Sequence, residues 1–414
     1  MKHLFILISA FILIASSCKK TEKHTVETKY ISFKNTLDIN RVDESIILTR
    51  DKIISILDSI PNNRVPILKD SSGKIIPFQL DDLEKNGSWD EFSLVLDFTP
   101  NQTLKLELTT IHTESIPSFT PRTNIRFGIG INKSNVKEVL EQKRIGDPRA
   151  NDSIFYQMEG PAWENDKVGF RFYFDPRNGI DIFGKTTSEL ILDRVGLGEA
   201  NYHELDDWGM DILKVGNSLG AGALAIKYKD SLIRITGKDQ AEFKVITEGP
   251  IRSVFEMMYK NSKIGDQTID IVHRITICKG QWGYQSNVFF SGVTDDMKLV
   301  SGIVNLKPNK PYSKTLKNYY TLETFGPQSE NNDALGMAII VSKENFINKG
   351  EAPQEKEDII QTYYTVMNAS NKKPTTFYFL SGWEQSHEQF KNYTGFEKMI
   401  DNMTERLSNP ILIQ

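Results

Sequence analysis

The stretch Ile269-Asp-Ile-Val-His-Arg-Ile-Thr-Ile277 alternates without interruption, with Ile269, Ile271, His273, Ile275 and Ile277 on one face and Asp270, Val272, Arg274 and Thr276 on the other. Successive side chains of a strand point to opposite faces, so this pattern describes a strand with one side buried. His273 stands in the apolar row and reads as a core residue; Arg274 points the other way and is the better site candidate. Val168-Gly-Phe-Arg-Phe-Tyr-Phe174 repeats the logic, with Phe170, Phe172 and Phe174 on one face and Arg171 and Tyr173 on the other. Similar runs follow at 223–228, 232–235, 253–257, 336–341 and 375–380, and a helix carrying Phe390, Phe396, Met399 and Ile400 closes the chain. Long antiparallel strands with few helices predict a mainly β protein whose larger part is a sandwich of two packed sheets.

Working outward, short apolar runs at 45–50, 64–68, 75–79, 92–96 and 103–108 are separated by Asn, Gly, Pro and Asp. They predict a small β module over residues 31–112, with 53–57 fitting either a strand or a helical turn. Residues 113–150 read as a linker, rich in Ser, Thr and Pro up to Thr123, followed by a helix over Lys133–Lys143 with Val136, Val139 and Leu140 on one face. The sandwich then occupies 151–414. At the start, Lys2 and His3, the apolar run 4–15 and the small residues ahead of Cys18 describe a signal peptide over 1–17, too short to span a bilayer. Cys18 is the expected lipidation site and 18–30 a flexible spacer. The protein is therefore expected to be secreted and lipid-anchored to the outer membrane, with the periplasmic or surface side left open.

Fifty Lys and Arg against 54 Asp and Glu, a net charge of −4, leave no basic excess for a polyphosphate backbone, so no nucleic-acid partner is expected. With Cys18 lipidated, Cys278 is the one remaining cysteine, and stability must come from burial without an intramolecular disulfide. There is no Gly-rich nucleotide loop, nucleophile-elbow serine or paired-histidine zinc signature. Asp82, Glu84, Asn86 and Gly87 are spaced like the opening of a calcium loop. Ser93, however, stands where a bidentate carboxylate would close it, which favours a metal-free turn. No cofactor is expected, and calcium is the one metal the spacing brings into view.

Polar chemistry concentrates in three places. The run 159–175 carries Trp163, Glu164, Asp166, Arg171 and Tyr173, with Arg177 just beyond; 202–214 carries His203, Glu204, Trp208 and Lys214; and later strands carry Arg252, Arg274, Trp282 and Tyr284. If the Arg171 and Tyr173 face is concave, the guanidinium would grip a sugar carboxylate and the phenol would move a proton.

The runs Gly160–Lys185 and Tyr202–Gly216, together with Ser381-Gly-Trp-Glu384, resemble the secreted family filed as domain of unknown function 4861, over most of residues 35–410. Members of that family resemble proteins encoded among enzymes that dismantle acidic plant and algal polysaccharides. Gln79-Leu-Asp-Asp82 and Trp89-Asp-Glu91 are similar to the β module of rhamnogalacturonan-lyase-like proteins. The resemblance implies a β super-sandwich of the galactose-mutarotase and lyase type, with an acidic poly- or oligosaccharide as partner. Glu84 and Asn86 stand where relatives commonly carry aspartates, which puts any metal there in doubt.

The reading this leads to is β-elimination on a uronic-acid-containing saccharide. Arg171 or Arg252 would neutralise the carboxylate, His203 would take the proton, and Tyr173 or Tyr284 would assist the leaving oxygen. A hydrolase built on Glu164, Asp166 and Glu204 is one alternative. An epimerase in which His203 and a glutamate each move a proton is another. The last is a glycan-binding protein stacking sugars on Trp163, Trp208, Trp282 and Trp383.

Overall fold

The computed structural model describes residues 28–150, 154–237, 240–307 and 309–414. The signal peptide, the Cys18 lipidation site and nearly all of the spacer lie outside the described residues.

Two small antiparallel sheets form the N-terminal module. One contains Arg41–Thr49, Glu91–Phe98 and Phe78–Asp81; the other contains Arg64–Lys69, Thr103–His112 and Lys29–Lys34. Period-two apolar residues close a core of Ile31, Phe33, Leu48, Ile67, Phe92 and Leu94 between them. The segment that fits either period is helical, spanning Arg50–Leu57, because Thr49 caps it by accepting a hydrogen bond from Lys52 N. At the far end of the chain, Leu412–Ile413 pairs with this module, Ile413 opposite Phe33.

The larger part is a β super-sandwich. A nine-stranded antiparallel sheet runs from Glu141–Arg144 at one edge, through Arg252–Ile264, Gln267–Cys278, Gly283–Ser291 and Thr375–Trp383, to Tyr312–Leu316 at the other. Two five-stranded sheets complete it, one holding Val168–Phe172 and the other Ala221–Tyr228. One continuous apolar core joins all three, from Phe170 and Phe172 through Leu224 and Leu299 to Phe255, Ile275 and Phe377. His273 lies within it fully buried; its Nε2 sits 2.8 Å from Ser286 Oγ, and its Nδ1 has no hydrogen-bond partner among the described residues.

The helix expected over Lys133–Lys143 does not form. A short turn at Lys133–Asn135, capped by Asn132, leads into strands Lys137–Glu138 and Glu141–Arg144. Glu141 pairs with Lys244 and Arg144 with Ala241, so the edge of the nine-stranded sheet supplies the backbone partners that a helix would have found within itself. Local spacing favoured a helix, and the tertiary ladder overrode it. Upstream, Thr123–Arg126 is likewise a strand, pairing with Ala162–Asn165.

Candidate functional site

The candidate site lies on the face of the five-stranded sheet that turns away from the main core. Val168–Phe172 runs between Ala162–Asn165 and Ile180–Lys185, and Gly209–Asp211 completes that edge. Antiparallel register sets Arg171 opposite Asp181, and Asp211 opposite Phe183, two residues along from Asp181 on the same face, so Arg171, Asp181 and Asp211 converge across three strands while Phe170 and Phe172 enter the core behind them. A cover of Ile191, Leu192, Val195 and Trp208 packs over Ala162 and Phe183 and shields part of this face. Gln157 holds the cover by donating to Leu192 O and Val195 O.

Arg171 is the hub. Its Nη2 donates to Asp181 Oδ2 at 2.7 Å and to Asp211 Oδ2 at 2.8 Å, while Nη1 donates to Tyr202 Oη at 3.1 Å. Tyr173 Oη donates to Asp181 Oδ2 at 2.8 Å. Arg171, Tyr173, Asp181 and Asp211 are buried and Tyr202 is half-buried, and the network reaches solvent through His203. That side chain is 56% exposed, with Nδ1 3.3 Å from Asp211 Oδ2 and its ring against Tyr202. Glu159, half-exposed, lies 3.8 Å from Arg171 Nη2 and 3.4 Å from Arg177 Nη2. Arg177 grips Asp175 and stacks 4.2 Å over the Tyr173 ring.

Local backbone geometry places Glu159. Met158 and Glu159 both adopt left-handed conformations, with φ of 54° and 62°, a strained arrangement that clusters at functional sites. Gly160 follows because its Cα passes so close to Phe172 O that a Cβ would collide with it. Glu159 O accepts from Phe174 N at 3.0 Å and fixes the turn to the strand bearing Arg171.

Charge and burial set the protonation states. The Asp211 carboxylate holds the His203 pKa above its ordinary value, against the opposing effect of partial burial. Burial first, then the neighbouring Asp211 charge, push the Asp181 carboxyl up against the pull of Arg171. Burial and the adjacent Asp181 likewise raise the Tyr173 phenol, which stays protonated as a donor.

Of the residues singled out from sequence, Arg171, Tyr173, His203 and Arg177 come together here. Arg171 does so as a buried strut, since the two aspartates occupy the guanidinium that was expected to grip a substrate carboxylate. Glu204 is exposed nearby, bonded to Asn201, and Trp208 is buried in the cover against Phe183.

The remaining candidates have structural partners elsewhere. Tyr284 is in the core, donating to Ala221 O at 2.7 Å, so it cannot act as an acid on substrate. Trp163 is fully buried between Phe170 and Phe255, and Trp383 is buried with Nε1 donating to Asp333 at 2.6 Å; neither offers a face to a sugar. Glu164 forms a buried pair with Lys185 at 2.5 Å and accepts from Ile191 N and Leu192 N. Asp166 is taken by Arg122 and Gly280 N. Neither carboxylate is free for hydrolysis. Arg252 is locked to Asp81 and Glu91 of the N-terminal module. Arg274 pairs with Glu256 at 2.7 Å, and Trp282 is half-buried against Phe390. Lys214 is exposed beside a cavity of about 200 Å³ between Leu213 and Gln328.

Sequence reasoning missed Asp181, Asp211, Tyr202 and Glu159 as partners. The available signal was an aspartate set into an otherwise apolar strand, at Ile180-Asp-Ile and Met210-Asp-Ile, because an acid on a buried strand needs a partner. In the Asp82–Asp90 turn the carboxylates serve the turn's own backbone, Asp82 accepting from Asn86 N and Gly87 N and Asp90 from Leu83 N. A cavity of about 360 Å³ lies at the junction of the N-terminal module and the C-terminal helix, and His203 is not among the residues that line it. Reactive groups, more than volume, mark the candidate site.

A family model described as "Domain of unknown function (DUF4861)" matches residues 33–413, and the chain belongs to that family. It is similar to "Uncharacterized protein P7" of Formosa agariphila, at 24% identity over 99% of both chains. Among solved structures, it is similar to an alpha-mannosidase from Enterococcus faecalis V583, at TM-score 0.45 and 9% identity. The match covers 94% of this chain and 46% of the mannosidase, so the chain spans about half of that protein. It is also similar to a protein assigned as an aldose 1-epimerase from Klebsiella pneumoniae, at TM-score 0.30 and 8% identity, over 69% of this chain and 97% of the other.

Proposed function

We propose that this member of the DUF4861 family is a carbohydrate-active enzyme in which the His203 imidazole moves a proton on a bound saccharide. The observation that carries the reading is the chain from Arg171 to Asp211 to His203. A buried guanidinium fixes a buried carboxylate, which in turn orients a half-exposed imidazole. An imidazole whose Nδ1–H faces a carboxylate carries its lone pair on Nε2, and His203 Nε2 has no protein partner among the described residues. Glu159 shares the same guanidinium and supplies a second exposed proton-transferring group. Carboxylates, phenols and an imidazole side by side suit the hydroxyls of a sugar ring.

This pair best serves a proton exchange of the mutarotase type, His203 removing one proton and Glu159 delivering another. Arg171 and Arg177 are matched by Asp175, Asp181, Asp211 and Glu159, so the cluster holds no surplus cation. β-Elimination on a uronate is the second reading. What favours it is Arg177, whose guanidinium is 29% exposed and stands closest to solvent of the two arginines. The test is incubation of the protein, and of His203→Ala and Glu159→Gln, with reducing sugars and with uronate oligosaccharides. Faster anomer exchange by NMR, lost in both variants, supports the first reading. Absorbance from an unsaturated uronate, lost in His203→Ala, supports the second. Retention of sugar without any product would leave a binding protein and overturn both.

A further inference from the structure

The 360 Å³ cavity shares no lining residue with the His203 network, and three separate parts of the fold build it. Ile46 and Ile47 come from the N-terminal module, Tyr378 and Leu380 from the outer face of the nine-stranded sheet, and Met403 and Leu407 from the helix Tyr393–Ser408. Its size falls within the range of small-molecule sites, and its walls are mainly apolar.

The charges in its lining cancel. Glu44 accepts from Arg406 Nε at 2.6 Å, so the one carboxylate and the one guanidinium of the lining are paired with each other; Arg41, which is fully buried and not part of the lining, is held by Glu44 at 3.1 Å, by Asn35 and by Asn409 O. The sheet lines the cavity with uncharged polar side chains, Thr276, Cys278, Gln285 and Tyr378. Tyr378 Oη has no hydrogen-bond partner among the described residues, and the Cys278 thiol has only a 3.7 Å contact with Ser45 Oγ. Burial raises the Cys278 thiol above its ordinary pKa, which keeps it neutral.

We infer that this crevice is a binding site for an uncharged, mainly aliphatic or aromatic small molecule with one hydrogen-bonding end directed at Tyr378 and Cys278. The site is distinct from the saccharide site and does not depend on that reading. An ion would lose its hydration without finding an unpaired partner, whereas an apolar body would cover Ile46, Leu380, Met403 and Leu407. Because the walls belong to separate parts of the fold, the ligand would stabilise their docking through simple mass action.

The probe is N-phenyl-1-naphthylamine, set against its sulfonated counterpart 8-anilinonaphthalene-1-sulfonate, on the full chain. The uncharged dye should saturate one site, bind at least tenfold more tightly than the sulfonate, and slow alkylation of Cys278 by iodoacetamide as read by mass spectrometry. Leu407→Trp fills the cavity and Ile47→Trp, at an exposed position, narrows its mouth; each should weaken the dye at least tenfold. Ile47→Trp decides the matter if Leu407→Trp does not fold. Equal affinity for the two dyes, or undiminished binding to folded Ile47→Trp, would overturn the inference.

Discussion

Arg171 and Arg252 are each buried and each grip two carboxylates, yet one sits under a reactive surface and the other inside a joint. Arg252 Nε donates to Asp81 Oδ2 at 2.8 Å and Nη2 to Glu91 Oε2 at 2.5 Å. Ser93 Oγ donates to Asp81, and Gln79 bonds both the N–H and the C=O of Arg252. That network is consumed in fastening the N-terminal module to the nine-stranded sheet. At Arg171 the network continues outward through Asp211 to a half-exposed histidine. A buried ion pair by itself therefore says little about function; what matters is whether its last member can meet a substrate.

The largest effects should come from removing either hub. Arg171→Ala and Arg252→Ala should each lower unfolding stability in urea by about 3–5 kcal/mol, because each strands buried carboxylates. Only Arg171→Ala should also lose turnover in the fraction that stays folded. If Arg252→Ala abolishes turnover while folded, the contrast between joint and site fails.

Next is the contrast between the two histidines. His203→Ala should cut turnover by about 10²–10⁴-fold, the usual weight of a general acid–base group, and shift stability by less than about 0.5 kcal/mol. His273→Ala should leave turnover per folded molecule intact and lower stability by about 1–3 kcal/mol, since Ser286 loses its partner in the core. Thermal melts alongside the sugar assay separate the two, and the reverse pattern would exchange site and core.

Acid should act through His273. Burial lowers its pKa to about 3 in the folded state, while the unfolded chain titrates near the ordinary value of about 6.5. Above that pH both states are neutral and the group costs nothing. As pH falls toward 3 only the unfolded state takes up the proton, so stability drops by up to about 1.4 kcal/mol per pH unit. His273→Phe should flatten this slope in urea melts between those limits; an unchanged slope would mean that His273 does not set it. Turnover has the opposite origin. The His203 pKa is raised, and a base must be neutral, so the rate should climb as pH rises through that raised value and lose this dependence in His203→Ala.

The smallest effect is expected at Tyr173. Tyr173→Phe removes one hydrogen bond to Asp181 and should cost about 0.5–1.5 kcal/mol of stability, with turnover falling more than affinity if the phenol tunes the network during proton transfer. Equal losses in both kinetic terms would confine Tyr173 to packing.

Much of the fold was legible because burial leaves a period. The odd-numbered row from Ile269 to Ile277 lies inward with His273 among them, and Phe170 and Phe172 enter the core opposite Arg171. The segment Lys133–Lys143 misled for the same reason: Val136, Val139 and Leu140 carry helical spacing, but the strand edge at Ala241–Thr247 claimed the backbone. In the candidate site, the face shared by Arg171 and Tyr173 was readable from a two-residue separation. Their saturation by Asp181 and Asp211 was not, because Asp181 lies on the neighbouring strand and Asp211 on the strand beyond it, and both meet Arg171 through the pairing of distant segments.

The tryptophans show the same divide. Composition marks Trp163 and Trp383 as possible sugar platforms, but only packing against Phe255 or Asp333 reveals that they present no face to solvent. By itself the sequence determined which side of each strand is apolar, the mainly β class and the membership of Arg171, Tyr173 and His203 in polar stretches, since these depend on near neighbours along the chain. Tertiary structure alone decided which charges are spent on one another and which reach solvent. That outcome depends on contacts between residues such as Arg252 and Asp81, 171 positions apart, and no local period encodes it.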